Sequence, residues 1–316
     1  MKRLALSVTA ALLLSTGLAA AADMPVKAAP APAAAPVSPW DIAFGGAIMS
    51  DYNFRGISQS DRGPSLTAYF EPRFKIVPNI ELYAGIQGWG TRLPTDPTGE
   101  FDLYGGIRPT FGPLNFDFGF MYYWYPKERQ VFLDDNPFSA FFGGPVFFPT
   151  TLPWTKNDTD FWEVYGKVSW TWNDMLTLGG GVYYSPDWLN TGAEGLYVNG
   201  TAKLTLPSAF LPKDFGWYIS GEIAHYSLGR TDAFFLFVEL PDYWYGNVGL
   251  GFTWKVFTLD LRFHDTDLSK QECFVLTGDL RGLPGGGDPL GTSRWCGSAF
   301  IAKGSFDLTW LTNLKL

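Results

Sequence analysis

Residues 114–125, Leu-Asn-Phe-Asp-Phe-Gly-Phe-Met-Tyr-Tyr-Trp-Tyr, restrict the fold more than any other stretch. Leu114, Phe116, Phe118, Phe120, Tyr122 and Trp124 share one face at period two, and Asn115, Asp117, Gly119, Met121, Tyr123 and Tyr125 share the other. A helix would smear this pattern around its circumference, whereas a strand sorts it into two faces. One face is aromatic and ends in a Tyr/Trp cluster. The other carries an amide, a carboxylate and a glycine, which a dry core would not welcome. Lipid on one side and a wet lumen on the other suit both faces.

Aromatic residues make up 17% of the 316-residue chain and charged residues also 17%. That is richer in rings and poorer in charge than an ordinary soluble domain. Mean hydropathy is nevertheless near zero, and no apolar run after the N-terminus reaches the ~20 residues that a spanning helix needs. A transmembrane barrel reconciles the two, because lumen residues dilute the apolar ones at every second position.

Lys2 and Arg3, the apolar run 4–18 and the small-residue site Ala20-Ala21-Ala22 read as a secretory signal over 1–22, cleaved before Asp23. Residues 23–39 alternate Pro with small residues and read as an extended periplasmic tether, with a cell-wall or partner-binding arm as the alternative. Residues 40–316 remain for the barrel. The formal charge of −8 argues against nucleic acid as a partner.

Twelve strands are marked off: 40–50, 64–76, 80–90, 101–111, 114–125, 161–172, 175–185, 194–206, 215–227, 243–254, 257–266 and 302–316. Short connections at 77–79, 112–113, 173–174, 207–214 and 255–256 alternate without exception with long ones at 51–63, 91–100, 126–160, 186–193, 228–242 and 267–301. This is the asymmetry of an all-β, antiparallel, up-and-down outer-membrane barrel, with periplasmic turns, extracellular loops and both termini in the periplasm. A charge on the lipid face at mid-bilayer costs about 2–4 kcal/mol. Strand parity therefore assigns Glu71, Arg73, Lys75, Arg108, Asp117, Glu163, Lys167, Lys203, Glu222, Asp260, Arg262, Lys303 and Asp307 to the lumen. A soluble sandwich or lipocalin-like barrel would have to bury these charges while exposing a belt of Phe and Trp.

The most specific string is residues 50–60, Ser-Asp-Tyr-Asn-Phe-Arg-Gly-Ile-Ser-Gln-Ser, where the first strand leaves the membrane. Asp51 and Arg55 are placed to pair across a turn, Tyr52 and Phe54 to pin it at the interface, and Gly56 to permit a sharp reversal. The reading is a loop brace at the barrel mouth, with solute contact as the alternative. The string closely resembles the N-terminal signature of the TorF family of porin-like outer-membrane proteins. Pro241-Asp242-Tyr243-Trp244, Asp265-Thr266-Asp267-Leu268-Ser269 and the cysteines beyond them add to the resemblance. It implies the fold, an outer-membrane location and a pore, and it supplies no substrate and no catalytic residue. A longer, Phe-rich middle loop and the Ala/Pro tether depart from the family pattern.

Cys273 and Cys296 both fall in the last long loop, and a disulfide bracing it is the default for an exported chain with two cysteines. His225-Tyr226-Ser227-Leu228-Gly229 resembles the H-x-S-N-G string of outer-membrane phospholipase A, with Leu228 in place of the asparagine. The bland alternative is an interfacial His and Ser at a strand end. The apolar loop 127–160 either folds over the mouth or into the lumen as a constriction, or packs on lipopolysaccharide or a neighbouring subunit. No Walker, zinc or Rossmann pattern is present, so neither cofactor nor metal is expected.

The expected function is passive diffusion of small hydrophilic solutes or ions, without catalysis. The lumen charges are mixed, and the acidic outer loops favour a mild cation preference. The expected partners are outer-membrane lipid, lipopolysaccharide, the barrel-assembly machinery and small solutes. A closed structural or partner-binding barrel and a phospholipase-type enzyme are the rivals. The mature protein is expected to be heat-modifiable, rich in β structure and recovered with the outer membrane after cleavage near Ala22. Recovery in the soluble periplasm without detergent would rule out the barrel.

Overall fold

The computed structural model describes residues 38–134, 151–207, 212–283 and 291–314. The proposed signal, nearly all of the tether and the Phe-rich centre of loop 127–160 lie outside them. Twelve strands close an antiparallel barrel: β1 (Trp40–Met49), β2 (Ser65–Val77), β3 (Ile80–Trp89), β4 (Glu100–Phe111), β5 (Leu114–Trp124) and β6 (Phe161–Trp172), then β7 (Leu176–Ser185), β8 (Gly195–Leu206), β9 (Phe215–Leu228), β10 (Tyr243–Trp254), β11 (Phe257–Thr266) and β12 (Ala299–Thr309). Each strand pairs with its sequence neighbours, and β12 returns to β1 through Ala43–Thr309 to Met49–Lys303. Full closure leaves no edge strand, which is what allows a sheet to stand in hydrocarbon.

The tight turns gather at one end and the long loops at the other. Gly112, Asn173, Asp174 and Lys255 adopt the positive φ that short hairpin connections require. Outward residues are broadly exposed and apolar, among them Phe118, Phe120, Val168, Ile219, Ile223, Val248 and Leu259. Trp162 and Trp172 on β6, like Trp244 and Trp254 on β10, mark two aromatic rings ten residues apart. At ~3.3 Å per residue and a tilt of about 40°, that spacing gives a band of about 25 Å, the height of a barrel's lipid belt.

The structure corrects two boundaries. The last strand runs Ala299–Thr309 and not 302–316: it already pairs with β11 at Ala299–His264, and it leaves β1 after Ala43–Thr309, where the chain turns out of the ladder. Beyond Thr309 the ladder has no further rung. Trp310–Leu314 form one π-helical turn, held by Thr309 N donating to Asn313 Oδ1 and Leu311 N donating to Asp41 Oδ1. Glu100, read as a loop residue, opens β4 and is buried in the wall.

Among the loops, α1 (Lys270–Thr277) begins with a capping box between Ser269 and Glu272 and ends at Gly278. Cys273 on α1 and Cys296 form the disulfide, with Cα atoms 5.7 Å apart.

Outward placement of Phe118 can be tested by charge. Phe118→Arg is expected to cost about 2–4 kcal/mol of folding in vesicles, read as loss of the heat-modifiable band. An arginine at cavity-lining Asn115 is expected to leave assembly intact. Equal assembly of both variants would contradict the assigned faces.

Candidate functional site

Residues 51–60 form an inward hairpin at the loop end of the barrel, joined to neighbouring loops by Ser58 N donating to Trp295 O and Arg92 N donating to Gln59 O. Asn53 pairs with Ser58 and Phe54 with Ile57. Arg55 (φ 49°) and Gly56 (φ 92°) make the two-residue turn between them. A Cβ at Gly56 would press on the Tyr245 ring and on Thr266, so both space and dihedral call for glycine. Asn53 Oδ1 accepts Gly56 N at 2.9 Å and steadies the reversal.

The expected Asp51–Arg55 pair does not form. Arg55 instead reaches Glu163 on β6, donating from Nη1 at 2.6 Å and Nη2 at 2.7 Å, with both side chains buried. Asp51 stays at the foot of the hairpin, where Ser58 Oγ and Ser60 Oγ donate to it at 2.6 and 2.9 Å and Arg62 lies 3.6 Å away. The reason is geometric. The turn at Arg55-Gly56 aims the guanidinium away from the hairpin's base, and only a bidentate partner inside the lumen can satisfy it there. Tyr52 and Phe54 are likewise inside and not at a lipid interface. Tyr52 stacks on Trp89 at 4.2 Å and donates to Glu100, while Phe54 meets Tyr123 edge-on at 5.7 Å.

Arg55 is received by a row of tyrosines that sequence reading missed. Tyr165, Tyr183, Tyr197, Tyr226 and Tyr243 are paired in register, each with the next, across five consecutive strands. Neighbouring ring centroids lie 5.4–5.8 Å apart along the row. The guanidinium sits 5.0 Å from the Tyr183 ring, 4.3 Å from Tyr197 and 4.9 Å from Tyr226, with Phe54 at 4.6 Å. Tyr243 donates to the Arg55 carbonyl at 3.0 Å, and Tyr123 donates to Glu163 at 3.0 Å. Burial alone would lower the Arg55 pKa, but the Glu163 carboxylate more than offsets it and holds the guanidinium above its ordinary value. Burial pushes the Asp51 carboxyl up, against the opposing pull of the serine hydroxyls and Arg62.

Ile57, Tyr123, Tyr226, Tyr243, Leu276, Trp295 and the disulfide join one buried cluster. The loop-end half of the described lumen is therefore packed like a core. The turn-end half holds a cavity of about 680 Å³ bordered by Pro78 and Asn79 of the first tight turn.

Charged networks line this lower half. Glu71 accepts from Arg73 at 2.6 Å and Arg108 at 2.8 Å, and Asp117 pairs with Lys167 at 3.0 Å and Arg108 at 3.7 Å. Lys75, Arg108, Asp117 and Lys167 border the cavity. On the other wall, Asp260 pairs with Arg262 at 2.8 Å, and Arg262 also donates to Asn247 and Ser220. Glu222 accepts from Tyr197, Asn199 and Asn247. Lys203 lies over the Tyr218 ring at 4.1 Å, Lys303 is opposite Asp260 in the ladder, and Asp307 accepts from Tyr69 at 3.0 Å.

Outside the barrel, Ser227 Oγ and His225 Nδ1 lie 3.2 Å apart on the outer wall, where the imidazole meets Trp244 edge-on. No carboxylate or amide orients that imidazole among the described residues. Glu128, Asp158 and Asp160 gather in the loops within 4.8 Å of one another. Their oxygens already accept from Thr95, Thr159, Tyr122 and backbone amides, so hydrogen bonding accounts for the cluster.

Removing one member of the buried pair leaves the other charge uncompensated, at a cost of about 3–5 kcal/mol. Glu163→Gln is therefore expected to loosen the hairpin while the barrel stays closed. The reading is faster hydrogen exchange at the Gln59 amide, which donates to Tyr52 O at 2.7 Å, with strand amides unchanged. Unaltered exchange at Gln59 would contradict the seating described.

A family described as bacterial protein of unknown function (Gcw_chp) matches residues 33–144, about a third of the chain, including the hairpin. No curated protein matches the chain. Among solved structures it is similar to the NanC porin, at 10% identity and TM-score 0.42, covering 85% of this chain and 100% of that one. It is similar to LpxR from Salmonella typhimurium at 9% identity and TM-score 0.40, covering 84% and 99%. The KdgM porin in complex with disordered oligogalacturonate follows at 9% identity and TM-score 0.38, covering 84% and 98%. At these identities and TM-scores the likeness carries no conclusion about this chain.

Proposed function

We propose that this chain is an outer-membrane, porin-like barrel whose pathway is shut by its own inward hairpin. When the hairpin yields, it passes small hydrophilic solutes or ions. The observation that carries this reading is the division of the lumen. A charged cavity borders the turn end, and above it Arg55, Glu163 and the tyrosine row fill the bore. In this reading the turns face the periplasm, the loops face outward, and the first 22 residues are the removed export signal. The TorF resemblance of residues 50–60 supports it, because that string is the hairpin itself. Loop acids such as Asp187, Glu194, Asp242 and Asp267 give the mouth a negative bias that reaches about 8–10 Å at ordinary salt.

The packed outer half favours one second reading, a permanently closed barrel that presents its loops to a partner. Catalysis is not part of the proposal, since among the described residues no third group orients His225 and Ser227.

Planar-bilayer recording separates the two. Native protein is expected to conduct rarely, and the Arg55→Ala/Glu163→Ala pair to raise open probability about tenfold or more. Open channels are expected to prefer cations mildly, less so as salt rises, and Lys167→Glu to strengthen the preference. A large, steady native conductance that the pair leaves unchanged would overturn the hairpin's role. Silence in both proteins would favour the closed barrel.

A further inference from the structure

A second cavity, of about 260 Å³, lies among the loops and is separate from the lumen. Four cations border it, Arg62, Lys270, Arg281 and Arg294, with two acids, Asp61 and Asp279. Both acids are already committed. Asp61 accepts Trp295 Nε1 at 3.1 Å and pairs with Arg281 at 2.5 Å. Asp279 accepts Arg281 N at 3.0 Å and Ser293 Oγ at 2.9 Å.

Of the remaining cations only Arg62 has an acid partner among the described residues, Asp51 at 3.6 Å. Lys270 and Arg294 make no side-chain hydrogen bond or ion pair among the described residues. Arg62 donates from Nε to Arg294 O at 3.0 Å and from Nη2 to Gly297 O at 2.5 Å. Its buried Nη1 makes no hydrogen bond, with the Asp51 carboxylate 3.6 Å away. Burial, with the charge of Arg294 added, lowers the Arg62 pKa against the pull of Asp51. Three cations thus border one hole in a chain whose formal charge is −8, with Lys270 and Arg294 exposed and Arg62 only loosely offset by Asp51. The buried Arg62 Nη1 and the crowding of like charges are costly until an acceptor arrives.

We propose that this cavity binds an anionic saccharide group, a sugar bearing a phosphate or a carboxylate. Guanidinium forks match both anions bidentately, and Lys270 adds a point charge. The volume is below that of a site for a drug-sized ligand, so it suits one sugar ring with its charge. Trp295 borders the cavity with a largely buried indole whose Nε1 already donates to Asp61. The ligand can come from a membrane glycolipid headgroup or from a free sugar acid. The inference does not depend on conduction.

Calorimetric titration of the folded protein in detergent with glucose 6-phosphate, galacturonate and glucose tests it. Binding of the two acids but not of glucose is expected, with affinity lowered about tenfold or more in Lys270→Gln/Arg294→Gln. Heat-modifiability of that variant verifies that it folds. Competition of glucose 6-phosphate by lipopolysaccharide in nanodiscs would assign the site to a glycolipid, and persistence without competition would assign it to a free solute. Equal binding of glucose, undiminished binding by the double variant, or no binding of either acid at millimolar concentration would overturn the proposal.

Discussion

The organisation of this barrel depends on one buried ion pair, Arg55 with Glu163, formed across the lumen between residues 108 positions apart. A guanidinium and a carboxylate taken out of water cost several kcal/mol each, and their attraction offsets this only with good geometry and further hydrogen bonds. The surroundings meet both conditions. Two parallel N–H···O bonds join the charges, and Tyr123 donates to the carboxylate. Aromatic faces cover the guanidinium. The same pair fixes the hairpin's depth, because the turn at Gly56 cannot rise without stranding Glu163 in an apolar setting.

The two halves of the lumen differ because their inward residues differ in size and charge. A twelve-stranded barrel is narrow, so tyrosines on five neighbouring strands and one hairpin are enough to fill it. Tyrosine suits this place, since its ring packs while its hydroxyl can find a partner, as those of Tyr165, Tyr197 and Tyr243 do. Nearer the turns, inward positions carry Gly179, Asn199 and Thr201 beside paired charges, and a cavity remains. Its acids and bases largely neutralise one another locally, leaving the loops to set the sign of the field.

Much of this was legible in the sequence because it is local. Period-two alternation fixes the faces of Leu114–Trp124, and tight turns fix which end of each strand is which. Parity alone is enough to divide Asp117 from Phe118. The last strand misled for the same reason. Its alternation runs on past Thr309 through Trp310 and Leu314, although the chain there leaves β1 for a π-helical turn. The hairpin was not legible, because residues 51–60 carry no period that reports direction, and the partner of Arg55 lies on a distant strand. The tyrosine row was within reach. Aligning strands by their hairpins would have stacked Tyr183, Tyr197, Tyr226 and Tyr243, whereas reading each strand separately did not.

The direct test of a bore closed by Arg55 and Glu163 is side-specific labelling of a lumen thiol. Both native cysteines are in the disulfide, so Thr201→Cys, at the cavity wall, would be the one free thiol. In oriented vesicles, a charged, membrane-impermeant thiol reagent is expected to label it from the turn side and not from the loop side. Adding Arg55→Ala/Glu163→Ala is expected to admit the reagent from the loop side too. Rapid labelling from the loop side with the native pair in place would contradict the closed bore.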